Sequence, residues 1–516
     1  MNKTDKLFVL INSLNKGEKR HFYLFADRYN NSTKTNYRKL FDFIEKQKNY
    51  NEQAIRKHFI GERFLNQLTF TKNYLYNLIM DSLKLYHEND SIENSIRSDL
   101  SKIELLFNKE LFVQANIIVK KIKKLAIQHE KFVLLLTIIY WEELCMARIN
   151  EAEMMLRVSE DNIKERIKIF NFIKQHALLN QVVQKILFQL SKIGTIRSMD
   201  DLKPIQQIMN KEVFQSNDFK NLSKRGESYI YYIYSTYYWV SKEYSKTLEY
   251  TKLLISQLEQ DSEQITENPY NYISALNNIM LIALATKDYA LFNQYKAIFD
   301  KAKYLKKLTN FRTLALSIRV NIINLEISKL HQEAKFLDAK KLINTTEWEP
   351  YFNNNKLSRL ALNAKYNIAY NAFILEDFDT AIHWINEINA SPIKNTREDL
   401  YSYTRLLEII CHYEIGNMFL LESKAISYYR YLRNKDRLFE FEKLSIALIK
   451  KLFQIGITNQ TTITAIFKNF HSKFKKIFNN PFEKEVLQHF DLLCWLESKI
   501  NNETFSKAAM LRIKNN

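Results

Sequence analysis

The chain has 516 residues, of which 46% are hydrophobic and 13% aromatic, so it has ample apolar material for large cores and disorder is not expected. It contains only 6 Gly and 5 Pro, far below the average usage of about 7% and 5%, and tight β-turns depend on these two residues. This excludes a protein built mainly of β-hairpins and predicts an all-α fold. The net charge of +19 favours polyanionic or acidic partners, although a composition rich in Lys, Asn and Ile also produces such an excess.

The cysteines and the hydrophobic runs bear on location. Cys145, Cys411 and Cys494 are far apart, and each lies in an apolar run, where a free cysteine behaves as a small core residue. We therefore expect no disulfide framework and a reducing compartment. The most hydrophobic stretch, residues 132–140, is about half as long as a membrane-spanning helix requires, and the run at 7–11 is too short for a signal-peptide core. These features predict a cytoplasmic protein with no membrane span.

Residues 1–90 differ in pattern from the rest of the chain. Short helical patterns cover residues 13–29, 36–47, 50–59 and 70–88, and residues 54–59 (AIRKHF) are a candidate recognition segment of a helix-turn-helix. A small helical bundle that caps the rest of the chain is the favoured interpretation, because terminal units of repeat proteins are atypical. We expect this domain at 1–90 and a helical-repeat region at 91–516.

Residues 229–239 (YIYYIYSTYYW) place aromatic side chains around a helix. At helical spacing Tyr231, Tyr234 and Tyr238 share one face, while Tyr232 and Trp239 share another. One packing seam cannot bury both faces. The functional interpretation is an aromatic ladder that grips a peptide or stacks on bases. The alternative is a helix packed on both sides whose tyrosine hydroxyls reach solvent.

From about residue 240 one local pattern recurs, in which an aromatic residue is followed three positions later by a small one. The best copies begin at Phe336, Phe378 and Phe505 (FLDA, FDTA and FSKA), and an earlier copy begins at Phe112. Looser copies extend the series to positions 244, 289, 336, 378, 419, 462 and 505, a period of about 43 residues. Between 116 and 243 no repeat can be phased. The period predicts helical hairpins that stack into an α-α superhelix, because each hairpin alone leaves an apolar face uncovered.

The clearest copy is residues 377–392, DFDTAIHWINEINASP. Pro350 and Pro392 each follow a repeat aromatic by 14 residues, where the second helix of a hairpin is expected to end. The segment resembles the tetratricopeptide-repeat superfamily, in which the second helix opens with an aromatic residue, carries a small residue three positions later and ends near a proline. The resemblance implies a right-handed solenoid whose concave face binds a peptide, a helix or a partner domain. The unit here is longer than that family's usual 34 residues or so, and its first-helix Trp and Gly are mostly absent.

The helical segments near 361–373 and 405–413 are expected to join residues 229–239 in forming the partner surface. The candidate residues are Tyr231, Tyr234, Tyr238, Trp239, Tyr366, Tyr370, Arg405 and His412. Arg405 and His412 are seven residues apart and share a helix face, a spacing similar to the motif of HEPN-type ribonucleases. That resemblance makes a metal-independent ribonuclease a third hypothesis, although Leu406 stands where the family usually has a polar residue.

Lysine clusters follow several repeat aromatics at similar offsets. If the repeats align them, they form a basic stripe made of Lys120, Lys121, Lys124, Lys303, Lys306, Lys307, Lys473 and Lys476. The helix macrodipole alone also favours lysines near helix carboxyl ends. An aligned stripe favours a nucleic-acid-binding protein or regulator that uses its basic surface and amino-terminal helices.

No motif in the sequence requires an enzyme. The histidines are scattered, there is no HExxH or Cys/His pair at ligand spacing, and no glycine-rich phosphate loop is present. We therefore expect no catalytic residue, no metal and no cofactor. The favoured hypothesis is a non-enzymatic interaction or scaffold protein with a protein or peptide partner. Nucleic-acid binding is the alternative.

Overall fold

The computed structural model describes residues 5–29, 34–149, 152–193, 195–215, 219–261, 263, 265, 269–301, 312–354, 358–391, 397–455 and 460–514. These residues form helices joined by turns, with no strand among them, which confirms the all-α prediction. The chain divides into two compact units, residues 1–170 and 171–516. The division falls inside the helix Ala152–Ile193, and the boundary at residue 90 stays a prediction.

The first unit begins with a helical bundle that has its own core. Its helices are α1 (Lys6–Ser13), α2 (Lys16–Tyr29), α3 (Lys34–Glu45), α4 (Glu52–His58), α5 (Leu68–Tyr86), α6 (Ile92–Asn108), α7 (Phe112–Gln128), α8 (Phe132–Ile149) and the first part of α9 (Ala152–Ile193). The apolar residues that α1–α5 bury lie between Leu7 and Ile79 and form one cluster. At its centre the rings of Phe22 and Phe41 stack with centroids 4.7 Å apart. Helices α6, α7 and α8 pack on one another in sequence.

The second unit consists of the remainder of α9 and the helices that follow it. These are α10 (Met199–Ile208), α11 (Lys224–Val240), α12 (Tyr244–Glu259), α13 (Pro269–Thr286), α14 (Tyr289–Lys301), α15 (Arg312–Gln332), α16 (Phe336–Thr345), α17 (Glu349–Phe352), α18 (Ser358–Ile374), α19 (Phe378–Asn389), α20 (Glu398–Glu414), α21 (Met418–Asn434), α22 (Glu440–Ile455), α23 (Gln460–Ile477), α24 (Pro481–Lys484), α25 (Leu492–Asn501) and α26 (Phe505–Lys514). A π-helical turn, Met209–Phe214, extends α10. None of the described helices is long and apolar enough to cross a membrane.

The recurring aromatic residue marks the start of the second helix in most of the hairpins. Helices α7, α12, α14, α16, α19 and α26 begin at Phe112, Tyr244, Tyr289, Phe336, Phe378 and Phe505. The small residue three positions later is buried, as at Ala339 and Ala381, which are fully inaccessible, so the two helices of a pair approach closely there. Each pair also packs against its neighbour, for example α12 against α13 and α19 against α20.

Two positions of the sequence series are shifted by one residue. Helix α21 begins at Met418, so Met418 packs against the core and Phe419 is 86% exposed. In α23, Ile463 is buried while Thr462 and Ala465 are exposed. One residue rotates a helical side chain by about 100°, which is enough to move it from the core to the surface.

One turn type joins the two helices of these hairpins. A residue in the left-handed region follows the first helix, as at Lys242, Lys287, Ala334, Glu376 and Gly416. The next backbone N–H donates to the carbonyl five positions back, for example from Asp288 to Ala283 at 2.8 Å and from Asp377 to Ala372 at 2.9 Å. This is the Schellman arrangement of a helix carboxyl end. Here it mostly uses residues other than glycine, which is how a chain with so few glycines repeats the same tight connection.

Pro350 does not lie at the end of the second helix of a hairpin, where the sequence analysis expected it. Helix α16 ends at Thr345, and Pro350 lies in the first turn of the short helix α17, where its missing N–H costs nothing. Pro392 lies outside the described residues.

A short segment between α23 and α25, residues 480–491, packs inside the second unit. It contains α24 and a 3-10 turn, Glu485–Gln488. Phe482 joins a core with residues of α9, α10 and α11, while Phe490 packs on Tyr370 and Phe373 of α18. We call residues 480–491 the inserted segment. It ties together helices from several different pairs.

Candidate functional site

Aromatic residues of α11 meet aromatic residues of two other elements and form a surface cluster. The ring of Tyr250, from α12, has its centroid 4.8 Å from that of Tyr234 and 5.6 Å from that of Tyr238. Tyr231 lies 6.4 Å from Tyr250, and Phe214, which follows α10, stacks on Tyr234 at 5.9 Å. We call the set the tyrosine cluster; it consists of Phe214, Tyr231, Tyr234, Tyr237, Tyr238 and Tyr250.

The edge of the tyrosine cluster is open to solvent. Phe214 is 46% exposed, and Leu253, one turn after Tyr250 on α12, is 40% exposed. Lys246, one turn before Tyr250, holds its ammonium 4.8 Å from the centre of the Tyr238 ring. The cluster therefore presents partly exposed aromatic and aliphatic surface with one lysine above it.

The tyrosine hydroxyls of the cluster keep hydrogen-bonding capacity. Burial raises the pKa of Tyr231, Tyr234 and Tyr238, so these phenols stay protonated at physiological pH. Among the described residues, no partner accepts from or donates to the cluster hydroxyls. Large rings with available hydroxyls at a partly exposed site are typical of the residues that dominate protein interfaces. The sequence brought three of these tyrosines together, but Tyr250 and Phe214 join them only through packing.

The other predicted aromatic residues lie away from the tyrosine cluster. Trp239 packs at the end of α11, where its ring meets Tyr244 edge-on at 5.5 Å. Tyr366 and Tyr370 of α18 are buried, and the inserted segment covers them. The Tyr366 hydroxyl donates to the His489 carbonyl at 3.1 Å, and the Asp491 N–H donates to the Tyr370 hydroxyl at 3.2 Å. The partner surface expected at these two tyrosines is therefore occupied by the chain itself.

Arg405 and His412 lie on α20 and are engaged in helix packing. Arg405 Nη1 donates to the Ser427 carbonyl of α21 at 3.1 Å, and its guanidinium lies over the rings of Tyr401 and Tyr431. His412 is buried, its Nδ1 has no hydrogen-bond partner, and burial lowers its pKa. An arginine held by a carbonyl and an enclosed imidazole do not make an open site for RNA cleavage.

The lysines of the predicted basic stripe are divided between the two units. Lys120, Lys121 and Lys124 lie on α7 in the first unit, and Lys473 and Lys476 are exposed on α23 in the second. Lys303, Lys306 and Lys307 lie outside the described residues. Lys121 is paired with Asp99 at 3.2 Å, so part of this charge is already neutralised. Alignment of the clusters stays a prediction.

The candidate recognition segment at residues 54–59 is a short helix, α4. Ile55 and Phe59 are buried in the core of the amino-terminal bundle. Arg56 is held by Glu52 at 2.9 Å within the same helix, and the His58 ring stacks on Phe43 at 4.4 Å. Only Ile55 of this helix is buried and most of its other side chains are exposed, so its role as a recognition segment stays a prediction.

The described part of the chain contains neither a cluster of metal ligands nor a reactive cysteine. No group of three or more His, Cys, Asp or Glu side chains there is placed to hold a metal ion. The three cysteines are buried and unbonded to one another, and burial raises the pKa of each thiol. A neutral, enclosed thiol is a poor nucleophile.

A buried ionic network centred on Arg197 had no signal in the sequence. Its guanidinium donates to Glu442 at 2.9 Å and 3.3 Å and to Glu483 at 2.8 Å, and also contacts the Tyr403 hydroxyl at 3.2 Å. Glu483 in turn accepts from the backbone N–H groups of Glu440 and Phe441 and so caps the start of α22. The network joins the loop after α9, α22 and the inserted segment.

Sequence comparisons with known proteins add no further site to this description. No family model matches the chain, and no curated protein matches it.

Proposed function

We propose that this protein is a non-enzymatic interaction protein, in which helix pairs of the second unit stack as a solenoid and the tyrosine cluster binds a segment of a partner protein. The single observation that supports it is the tyrosine cluster. Five tyrosines and one phenylalanine from three elements meet at a partly exposed surface, and their hydroxyls have no described partner. Rigid aromatic side chains lose little conformational entropy on binding, which makes such a surface favourable for holding a partner.

The solenoid part of the proposal is supported by the repeated connection. The same left-handed turn recurs from α11–α12 to α20–α21, and the residue three positions after the start of each second helix is buried. The proposed surface does not include Tyr366 and Tyr370, because the inserted segment covers them. Of the aromatic residues that the sequence analysis assigned to the partner surface, those of the tyrosine cluster remain partly exposed.

The proposal is tested by affinity capture from the native cell with full-length tagged protein. A variant carrying Tyr238→Ala and Tyr250→Ala is compared with the wild type and with Tyr270→Ala, which removes a tyrosine that is 53% exposed on α13, outside the cluster. We expect partner proteins that are captured by the wild type and the control to be lost with the double variant. Circular dichroism confirms that all three are folded. Equal capture by all three would contradict the proposal.

Nucleic-acid binding is the second candidate, favoured by the net charge of +19 and by exposed lysines on α7 and α23. Capture at two salt concentrations separates it from the first. Polyanion binding weakens steeply between about 50 and 200 mM salt because counterions are released, whereas an aromatic protein contact responds little. Nucleic acid recovered only at low salt, together with an unchanged result for the double tyrosine variant, would favour this candidate.

A ribonuclease is the third hypothesis from the sequence, and the packing of Arg405 and His412 does not support it. If the protein cleaves RNA, the replacement His412→Ala is the direct test. Unchanged cleavage in that variant would remove these residues from consideration.

A further inference from the structure

A cavity of about 610 Å³ lies within the second unit, apart from the tyrosine cluster. It is bounded by the ends of α9 and α11 and by the starts of α18, α20 and α22. Its volume is in the range of small-molecule sites, roughly 300–1,000 Å³. Among its described lining residues, six side chains are cationic and four are anionic. Apolar packing alone does not leave a space of this size lined by charges, because charged groups that face it must be solvated or bound to a ligand.

Each carboxylate that lines the cavity is already held by a cation. Arg397 holds Asp399 at 2.9 Å, and Lys435 holds Glu398 at 2.6 Å. Lys242 pairs with Glu485, and Arg197 pairs with Glu442. The carboxylates are therefore satisfied within the protein, and the remaining electrostatic preference of the cavity comes from its other cations.

Arg437 and Lys192 also line the cavity, and neither takes part in the four ion pairs just described. Arg437 Nη1 donates to the Thr195 carbonyl at 2.9 Å, and its nearest described carboxylate, Asp201, is 4.0 Å away. Lys192 is exposed at the end of α9 and forms no ion pair with a described residue. Two cations that line one cavity favour an anionic ligand.

Arg197 lies in the wall of the cavity but is held by the protein. It is only 5% exposed, and both of its terminal nitrogens donate to buried carboxylates. Its Nε has no hydrogen-bond partner and is itself enclosed, so a ligand in the cavity does not reach it. Arg197 therefore fixes the wall, and Arg437 and Lys192 are the cations left for an anion.

Aromatic rings form the rest of the recognition surface. Trp239 and Tyr431 both line the cavity and are partly exposed. The guanidinium carbons of Arg197 and Arg437 lie 4.9 Å and 5.9 Å from the centre of the Phe439 ring, so both cations contact the same aromatic side chain. The space therefore combines anion donors with faces on which a planar ring can stack.

We propose that this cavity binds a nucleoside phosphate, with the phosphate at Arg437 and Lys192 and the base against Trp239 or Tyr431. The site uses no residue of the tyrosine cluster. It can therefore be tested whatever the outcome of the capture experiment.

The test is a titration of the full-length protein with AMP, ADP, ATP and GMP, followed by calorimetry and by tryptophan fluorescence. Adenosine, ribose 5-phosphate and inorganic phosphate serve as partial ligands. We expect saturable binding of at least one nucleotide, a fluorescence change that Trp239→Phe reduces, and an increase in Kd of about tenfold or more for Arg437→Gln, which removes a charged hydrogen bond. The matched control Lys203→Gln, on the exposed face of α10, should keep the wild-type Kd.

Three results would overturn the proposal. One is the absence of saturable binding for every nucleotide at millimolar concentration. Another is an unchanged Kd for Arg437→Gln in a protein with wild-type circular dichroism. The third is inorganic phosphate binding as tightly as the nucleotides, since this would show an anion site that does not recognise the base.

Discussion

At the scale of single residues, Arg197 is the centre of a buried ionic network in the second unit. Two carboxylates, Glu442 and Glu483, are buried beside it, and burial raises the pKa of Glu442 even though Arg197 opposes this. Buried ion networks contribute little net stability compared with apolar packing, but they are costly to break. Their value here is that one residue fixes the relative positions of three elements that are distant in sequence.

Replacement of this arginine tests that role. We expect Arg197→Met to lower the free energy of unfolding by about 3–5 kcal/mol, because it leaves two buried carboxylates without their cation. The control Lys443→Met breaks an exposed pair with Glu440 and should change stability by less than about 1 kcal/mol. Urea denaturation measures both. Equal effects would show that the network is not important, and partial recovery on adding Glu442→Gln and Glu483→Gln would show that it is.

A histidine between helix pairs makes stability depend on pH. Burial lowers the pKa of His331 to about 4, and its Nε2 lies 3.0 Å from Asn371 Oδ1. The unfolded chain protonates near pH 6.5 and the folded one near 4, so within this window the unfolded state binds more protons. We therefore expect the free energy of unfolding to fall as pH decreases from about 6.5 to 4, by up to about 1.4 kcal/mol per pH unit from this residue.

The measurement is urea denaturation at pH 7, 6 and 5. In His331→Gln the dependence on pH should be shallower, whereas His383→Gln, at an exposed position, should leave it unchanged. His176 shows the same direction, since burial lowers its pKa to about 4 as well, so some dependence remains in the single variant. An identical pH profile for His331→Gln and the wild type would contradict the assignment.

At the scale of elements, the left-handed turn between paired helices is the repeated device. Residues with a side chain pay for this conformation through contacts of Cβ with the backbone, at about 1 kcal/mol each, and glycine does not. Lys287 and Glu376 adopt it at exposed positions, with φ of 58° and 62°. We expect Lys287→Gly and Glu376→Gly each to raise the free energy of unfolding by roughly 0.5–1 kcal/mol.

A glycine in the middle of a helix is the matched control for these turns. Glu249→Gly, at an exposed position of α12, should destabilise the protein by about 1 kcal/mol because the backbone gains freedom in the unfolded chain. Thermal unfolding distinguishes the two directions. Destabilisation by the turn replacements would mean that their side chains make contacts that outweigh the backbone strain.

The one-residue shift at α21 allows a second test at this scale. Phe336 opens α16 and is 3% exposed, whereas Phe419 is the second residue of α21 and is 86% exposed. We expect Phe336→Ala to cost about 3–5 kcal/mol through lost burial and the cavity it leaves. Phe419→Ala should lie within about 0.5 kcal/mol of the wild type. Similar costs for both would show that the helix starts elsewhere.

At the scale of the whole molecule, the chain forms two compact units, and the amino-terminal helices have a core of their own. A unit with its own core is expected to fold without the rest of the chain. Residues 1–170 produced alone should therefore be helical and unfold cooperatively in urea. Phe41→Ala in this fragment removes a fully buried ring and should lower its midpoint. A non-cooperative transition in the fragment would show that its stability depends on residues 171–516.

The sequence by itself determined the fold class and much of the local structure. The scarcity of glycine and proline excluded sheets, and the recurring aromatic residue located the start of α12, α14, α16, α19 and α26. These features can be read because helix periodicity, turn conformation and the pairing of adjacent helices depend on residues that are neighbours in the chain. At Phe419 the predicted start of the helix was wrong by one residue, because the turn there places Met418 first in α21.

Only the tertiary structure decided which surfaces remain available. The inserted segment reaches Tyr366 and Tyr370 from more than a hundred residues away, and Arg197 meets carboxylates 245 and 286 positions later. No local pattern marks such contacts, because they depend on how successive helix pairs stack and on which space the stacking leaves to be filled. For the same reason the cavity beside Arg437 and the arrival of Tyr250 and Phe214 at the tyrosine cluster had no signal in the sequence.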